Sequence, residues 1–271
     1  MTSVVITNAE RAARAELAWR DAEGRLRAAA FVPLVIDGAV AAALPFSESA
    51  VVASLADVGT ATLAFTDSRM AWKGWSPLVV EVAVEVTADR TGEWTWTGAL
   101  DQEVRKHPPA RLLVDTAIQR REHWWYVPRW VVLLRPRGAA AAVARRQGPH
   151  DGLLVTAAGD APSVRPVAVD RWDATEVEIT PLAEATAWPP AGTTAALLFG
   201  HDFAIPDQER SSAVRLRGVL DGRVLSVEER EGSLDLPLPG LLRSLRRHRD
   251  LERACRRALA AYDASPSAAA T

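Results

Sequence analysis

Two short stretches concentrate the side chains that could do chemistry. Residues 120–130, Arg-Arg-Glu-His-Trp-Trp-Tyr-Val-Pro-Arg-Trp, gather three indoles, a phenol, an imidazole and three guanidinium groups. Guanidinium forks bind carboxylate or phosphate bidentately, and aromatic walls suit a flat ligand. The same residues could instead join a helix to a strand, with Trp124 and Trp130 in a core and arginines stacked outside. Residues 68–75, Ser-Arg-Met-Ala-Trp-Lys-Gly-Trp, place two cations and two indoles between strands. That composition stacks a planar ring and neutralises an anion, or else forms a surface loop whose indoles cap a barrel end. His123, and His201 in Gly200-His201-Asp202-Phe203, are candidate proton donors or axial haem ligands, because neutral imidazole is a common metal ligand. An ordinary hydrogen-bonded histidine is the alternative for both.

Other chemistries lack their signatures. The chain has no HExxH, no P-loop, no GxGxxG after a strand and no GxSxG elbow, so hydrolysis and the usual nucleotide and metal sites are unsupported. Cys255 is the only cysteine, which removes an internal disulfide and any multi-cysteine metal site, and its place on an apolar helical stripe reads as packing. A net charge of -2 supplies no global field for nucleic acid or an anionic membrane. The arginines at 243, 246, 247, 249, 253, 256 and 257 make the last helix basic, but Asp250 and Glu252 interrupt the run and an apolar stripe backs it, as on a solvated or interface-forming face. No apolar run is long enough to span a membrane and no signal pattern opens the chain, so a cytoplasmic location is expected.

The elements that must position these residues are mostly strands. Asn8 is placed to cap a helix running to about Leu17. A turn at Asp21 to Gly24 then leads to a long apolar strand, Arg25 to Ile36, closed by Asp37-Gly38, a dipeptide suited to a tight hairpin. Ala39 to Leu44 returns, and Ser47, Glu48 and Ser49 open a short apolar helix. Ala61 to Phe65 and Leu78 to Val86 are strands. A helical region interrupted by Pro108-Pro109 fills Leu100 to Trp125, and Tyr126 to Arg135 closes the unit. Gly138 to Arg146 reads as a linker or short helix. The order then repeats: Leu153 to Thr156 and Val164 to Val169 echo the first hairpin at an offset of about 136 residues, while Ala195 to Phe199 and Ala213 to Leu220 echo later strands at 134. The second copy is expected to end on a hairpin, Val219 to Leu225, and a helix, Pro239 to Tyr262, without a closing strand.

Helix, then Leu17 to Arg25, then an apolar strand ending Asp37-Gly38, then helix and two strands, resembles the pyridoxamine 5'-phosphate oxidase-like split β-barrel superfamily. The resemblance covers residues 8–135 well and 152–230 loosely. It implies a mainly β fold with peripheral helices (α+β): two tandem split β-barrel units forming an intrachain pseudo-dimer. These are residues 1–137 and 152–262, joined by a linker at 138–151 and followed by a disordered tail at 263–271. A further homodimer is possible. It also implies a flavoprotein oxidoreductase with FMN or a deazaflavin at the seam, acting on an unknown small molecule. The phosphate side would be Ser47, Ser49, Arg69 and Lys73, with Trp75, Arg121, His123 and Trp124 near the ring. The family's phosphate-binding cation is absent from Pro45-Phe46-Ser47-Glu48-Ser49, and Glu48 opposes a phosphate. Two alternatives therefore stand beside FMN: a haem-binding or haem-handling protein using His123 or His201, and a cofactor-free structural or assembly protein. Nucleic-acid and membrane partners are not expected.

Overall fold

The strand pairing repeats along the chain. The computed structural model describes residues 2–183, 188–189, 194–206, 208–236, 238 and 240–265. After helix α1 (Thr2–Arg11) come strands β1 (Ala15–Arg20), β2 (Leu26–Phe31), β3 (Leu34–Ile36) and β4 (Ala39–Pro45). A 3-10 turn leads into α2 (Ser49–Ala56), followed by β5 (Thr60–Phe65) and β6 (Leu78–Asp89). Helices α3 (Ala99–Lys106), α4 (Arg111–Val114) and α5 (Ala117–Glu122) precede β7 (Arg129–Pro136) and the two-residue β8 (Ala141–Ala142). The second unit has β9 (Asp151–Thr156), β10 (Ser163–Val169), β11 (Glu176–Pro181), β12 (Thr194–Phe203), β13 (Ser211–Asp221) and β14 (Val224–Ser233), and the chain ends on α6 (Leu241–Asp263). The pairing order β2-β1-β5-β6-β7-β4 recurs as β10-β9-β12-β13-β14-β11. The second path closes into a barrel, whereas the first ends on β2 and β3. The fold is thus mainly β with peripheral helices, in two barrel-type units.

Strand alternation decides what faces what, since successive side chains point to opposite sides of a sheet. In β1, Ala15, Leu17 and Trp19 enter the core of the first unit, and Ala18 points the other way. In β5, Ala61, Leu63 and Phe65 face that same core, while Ala64 faces outward. In the second barrel Leu154, Leu198, Val214 and Leu216 fill the interior, leaving Leu153, Val155, Leu197 and Phe199 outside. The two outward sets meet and form one buried layer between the units. Alanines at 18, 28 and 64 keep the first face shallow, so backbones approach closely enough for Arg215 Nε to donate to the Ala28 carbonyl at 2.9 Å. A fourth apolar cluster packs α3, α4 and α6 on the outer side of β3 and β4, with Cys255 buried in it.

Several expectations are corrected. Asn8 does not cap the first helix: it lies inside α1, fully buried, and its amide exchanges two hydrogen bonds with the backbone of Ser76. The helix ends at Arg11 because the next apolar run is needed as β1. The long strand 25–36 breaks at Val32-Pro33, since proline has no N–H for a ladder. Residues 141–142 pair with β6 and do not form a helix. The second unit does have a closing strand: β14 runs to Ser233 and bridges β13 and β11. Its exposed charged residues, Glu228 to Glu231, conceal a strand edge-on to solvent. Strand β11 was not anticipated at all. In the expected tail, Asp263 ends α6 and Ser265 turns back onto the Tyr262 carbonyl, while residues 266–271 lie outside the described residues.

Candidate functional site

The seam layer carries an ionic cluster made by the same alternation. Glu16 shares the Ala18 face of β1, and His201 shares the Phe199 face of β12, so both are directed between the units. Arg146, from the segment joining the units, donates to Glu16, to Thr66 Oγ1 at 2.8 Å and to the Asp151 carbonyl at 3.1 Å. Glu16 and Arg146 side chains are each 1% exposed. His201 Nε2 lies 2.9 Å from Glu16 Oε1 and 2.8 Å from Arg146 Nη2. One ring nitrogen either donates to the carboxylate or accepts from the guanidinium, and in both tautomers it is held within the cluster. Burial lowers the His201 pKa against the pull of Glu16, which keeps the ring neutral. Next to it Arg69 forks onto Asp67 and reaches Asp202 of the second unit, with its guanidinium 4.3 Å above the Phe203 ring. Burial would raise the Asp67 carboxyl, but its bonds to Arg69 and the nearby Arg146 charge bring it below the ordinary value.

Beside this cluster opens a cavity of about 370 Å³. It occupies the side on which the first sheet fails to close, between β2 (Ala29 to Phe31) and β4 (Ala42 to Pro45), and the β12 and β13 ends of the second unit, Phe203 and Ser211, cover it. The wall is largely apolar: Leu17, Trp19, Phe31, Leu44, Val51, Leu134 and Phe203 contribute. Two cations interrupt it. Among the described residues Arg14, whose pKa burial lowers to about 10 against the favourable field of Asp67, contacts His107 at 3.5 Å and the Phe203 ring. Arg215 is also lowered by burial, and it bonds Ala28 and Glu231. Glu48 lies in the wall too, pushed up by burial and opposed by Arg215.

The residues singled out from sequence occupy other places. Ser47 has a buried hydroxyl without a partner in the turn before α2, and Ser49 is the first residue of that helix, on either side of Glu48. Arg69 is bound in the ionic cluster. Trp75 is packed in the first core with Arg145 over its ring. Lys73 lines a separate groove with Glu10, Arg11, Trp72, Gln102 and Arg105. Arg121 and Trp124 line a third pocket, and His123 stands edge-on to Trp125 and His248. Arg14, Glu16, Arg146 and Arg215 were missed. Glu16 had a readable signal, a lone carboxylate within Ala15-Glu16-Leu17-Ala18-Trp19; Arg146, in an irregular segment, had none. Among the described residues, no group of three or more His, Cys, Asp or Glu side chains could hold a metal ion. No described helix is long and apolar enough to cross a membrane.

No protein-family model and no curated protein matches the chain. Among solved structures it is similar to the heme storage protein HutZ from Vibrio cholerae, at 11% identity over 51% of this chain and 91% of that one, with a TM-score of 0.37. It is also similar to a heme-binding protein from Mycobacterium smegmatis, at 13% identity over 94% and 97% of the two chains, with a TM-score of 0.32. Likenesses this distant leave the function to be argued from the cavity itself.

Proposed function

We propose that this protein binds a flat, mainly apolar small molecule with carboxylate arms, of the haem class, in the cavity between its two β units. The observation that carries the reading is the wall: an apolar surface interrupted by Arg14 and Arg215, with no carboxylate paired to Arg14 among the described residues. A desolvated guanidinium that no carboxylate touches, with Asp67 acting on Arg14 only through its field, gains from an acidic ligand, because the low-dielectric surroundings strengthen the new ion pair. A ring would lie against Leu17, Trp19, Phe31 and Leu134, with its acids toward the two arginines. The absence of a cation on Pro45 to Ser49 weighs against the phosphate of FMN, while Glu48 and Asp202, which also line the cavity, oppose any acidic group turned toward them and leave Arg14 as the main anchor.

The fit is to the ring and its acids and does not extend to the metal. His123 is away from the cavity, and His201 Nε2 is committed to Glu16 and Arg146. No step at iron is assigned, and the protein is read as a holder or carrier. Haemin, metal-free protoporphyrin IX and FMN, each titrated by absorbance or quenching of tryptophan fluorescence, test this. Haemin and the metal-free porphyrin should bind within about threefold of each other, and Arg14→Ala or Arg215→Ala should each weaken both about tenfold, or ~1.4 kcal/mol. Tight FMN binding with no porphyrin uptake would return the site to a flavin, and uptake of none of the three would leave the assembly reading.

A further inference from the structure

The aromatic and arginine-rich stretch at 120–130 is not used by the cavity, and it builds a site of its own. Trp94 and Trp125 are buried under it, as is Arg129, which stacks at 3.8 Å on the Tyr126 ring. What remains at the surface is a pocket of about 420 Å³ lined by Arg90, Thr91, Arg120, Arg121, Trp124, Val127 and Pro128. Its lining holds three guanidinium groups and a hydroxyl and no carboxylate. Arg120 donates to the Val114 carbonyl at 2.9 Å, which fixes its head group at the pocket. Among the described residues Arg90 pairs with Asp263, itself half exposed, at 2.7 Å and lies 5.8 Å from the centre of the Phe46 ring. Arg121 has no ion-pair or hydrogen-bond partner among the described residues. The Trp124 indole is 51% exposed even with the Arg256 guanidinium 5.2 Å from its ring centre.

We infer that this pocket binds a nucleotide unit, with a flat base packed on Trp124 beside Val127 and Pro128 and a phosphate held by Arg90, Arg120 and Arg121. Base–indole stacking is tolerant of sequence, and arginine forks match phosphate oxygens. One source is a free mononucleotide. The other is a single strand, for which α6 offers exposed cations at spacings of four and three: Arg249, Arg253, which is paired with Asp250, and Arg256, which is paired with Glu252 at 2.7 Å and lies over Trp124, so a strand would have to compete with these two carboxylates. The chain's overall charge of -2 does not oppose this, because the pocket's field is local on the scale of a Debye length of about 8 Å.

The test uses the intact protein and four probes: a nucleoside 5'-monophosphate, its nucleoside, inorganic phosphate and a labelled single-stranded decanucleotide, followed by calorimetry and anisotropy. The monophosphate or the decanucleotide should bind at least tenfold more tightly than phosphate or nucleoside. Arg121→Ala and Trp124→Ala, both at the surface, should each weaken that binding about tenfold, and Lys73→Ala in the other basic groove should leave it unchanged. If the source is a single strand, Arg249→Ala with Arg253→Ala weakens the decanucleotide and leaves the monophosphate alone; if it is a free nucleotide, the pair changes neither. Equal binding of phosphate and nucleotide, no binding of any probe at millimolar concentration, or binding indifferent to both Arg121→Ala and Trp124→Ala would overturn the assignment.

Discussion

Replacing Arg146 by methionine isolates the energetics of the seam. The substitution keeps a long apolar stem and removes the guanidinium, with its bonds to Glu16, Thr66 and the Asp151 carbonyl. Glu16 is then left buried, with neutral His201 as its remaining close partner apart from the long Thr66 contact at 3.3 Å. Breaking a buried ion pair from one side costs about 3–5 kcal/mol, most of it the desolvation of the abandoned charge. For a chain of this length that is a fall in Tm of roughly 2–4 °C per kcal/mol. Removing both charges together, Glu16→Gln with Arg146→Met, takes away the abandoned carboxylate, so the double variant should recover more than half of the loss. Urea unfolding of the four proteins, followed by circular dichroism and tryptophan fluorescence, gives the coupling energy directly. A single-variant loss under about 1 kcal/mol, or a double variant no better than Arg146→Met, would refute the view that the pair's value lies in mutual neutralisation.

Acid should destabilise the protein before its carboxylates are protonated. Burial, aided by Arg14, lowers His107 to about 3, and burial lowers His201. Both folded values lie below the ordinary 6.5, so the unfolded chain takes up these protons first, and stability falls as pH drops below about 6.5, by ~1.4 kcal/mol per unit for His107 with His201 acting in the same direction. His107→Gln should flatten that slope between pH 6 and 4 in urea melts, and an unchanged slope would count against it. Gly218 lies at the register shift between β13 and β14, where an added Cβ would come within 1.9 Å of the Ser226 carbonyl. Gly218→Ala should therefore cost more than ~2 kcal/mol in the same melts. Asn8→Ala, which frees the Ser76 N–H and carbonyl, should cost about 1–3 kcal/mol.

Much of the fold was legible because strand alternation and repeat offset are local, countable signals. Leu17, Trp19, Leu63 and Phe65 announce a core by their spacing, but the offset of 134 to 136 lands one residue out of face in β9 and β12: Leu153 and Leu197 point to the seam while Leu154 and Leu198 fill the second barrel, and Val214 alone of the three keeps the inward face of Val80. What escaped notice is what depends on the partner surface. Glu228 to Glu231 look like loop residues until β13 is found to pair with them, Arg217 with Glu229 and Arg215 with Glu231. Asn8 looks like a cap until the Ser76 backbone, 68 residues away, takes both of its amide atoms. The candidate site was legible in composition and not in place. The stretches at 68–75 and 120–130 do contain exposed cations and indoles, but topology sends Lys73 and Trp124 to separate pockets and buries Trp75. Arg14 and Arg215 are brought to one cavity only by the packing of β1 and β2 against β12 and β13, a contact between segments some 200 residues apart that no local pattern encodes.

The unequal closure of the two sheets bears on stoichiometry. Two identical units facing each other across a twofold axis would offer two equivalent clefts and bind two ligands. Here the second barrel is sealed, with Trp172 packed so tightly over β9 and β12 that a Cβ on Gly200 would lie 2.6 Å from its ring, while the first stays open at β2 and β3. In the proposed site one unit contributes the cleft, and the other covers it and adds the Arg215 charge. Porphyrin should saturate at one equivalent per chain.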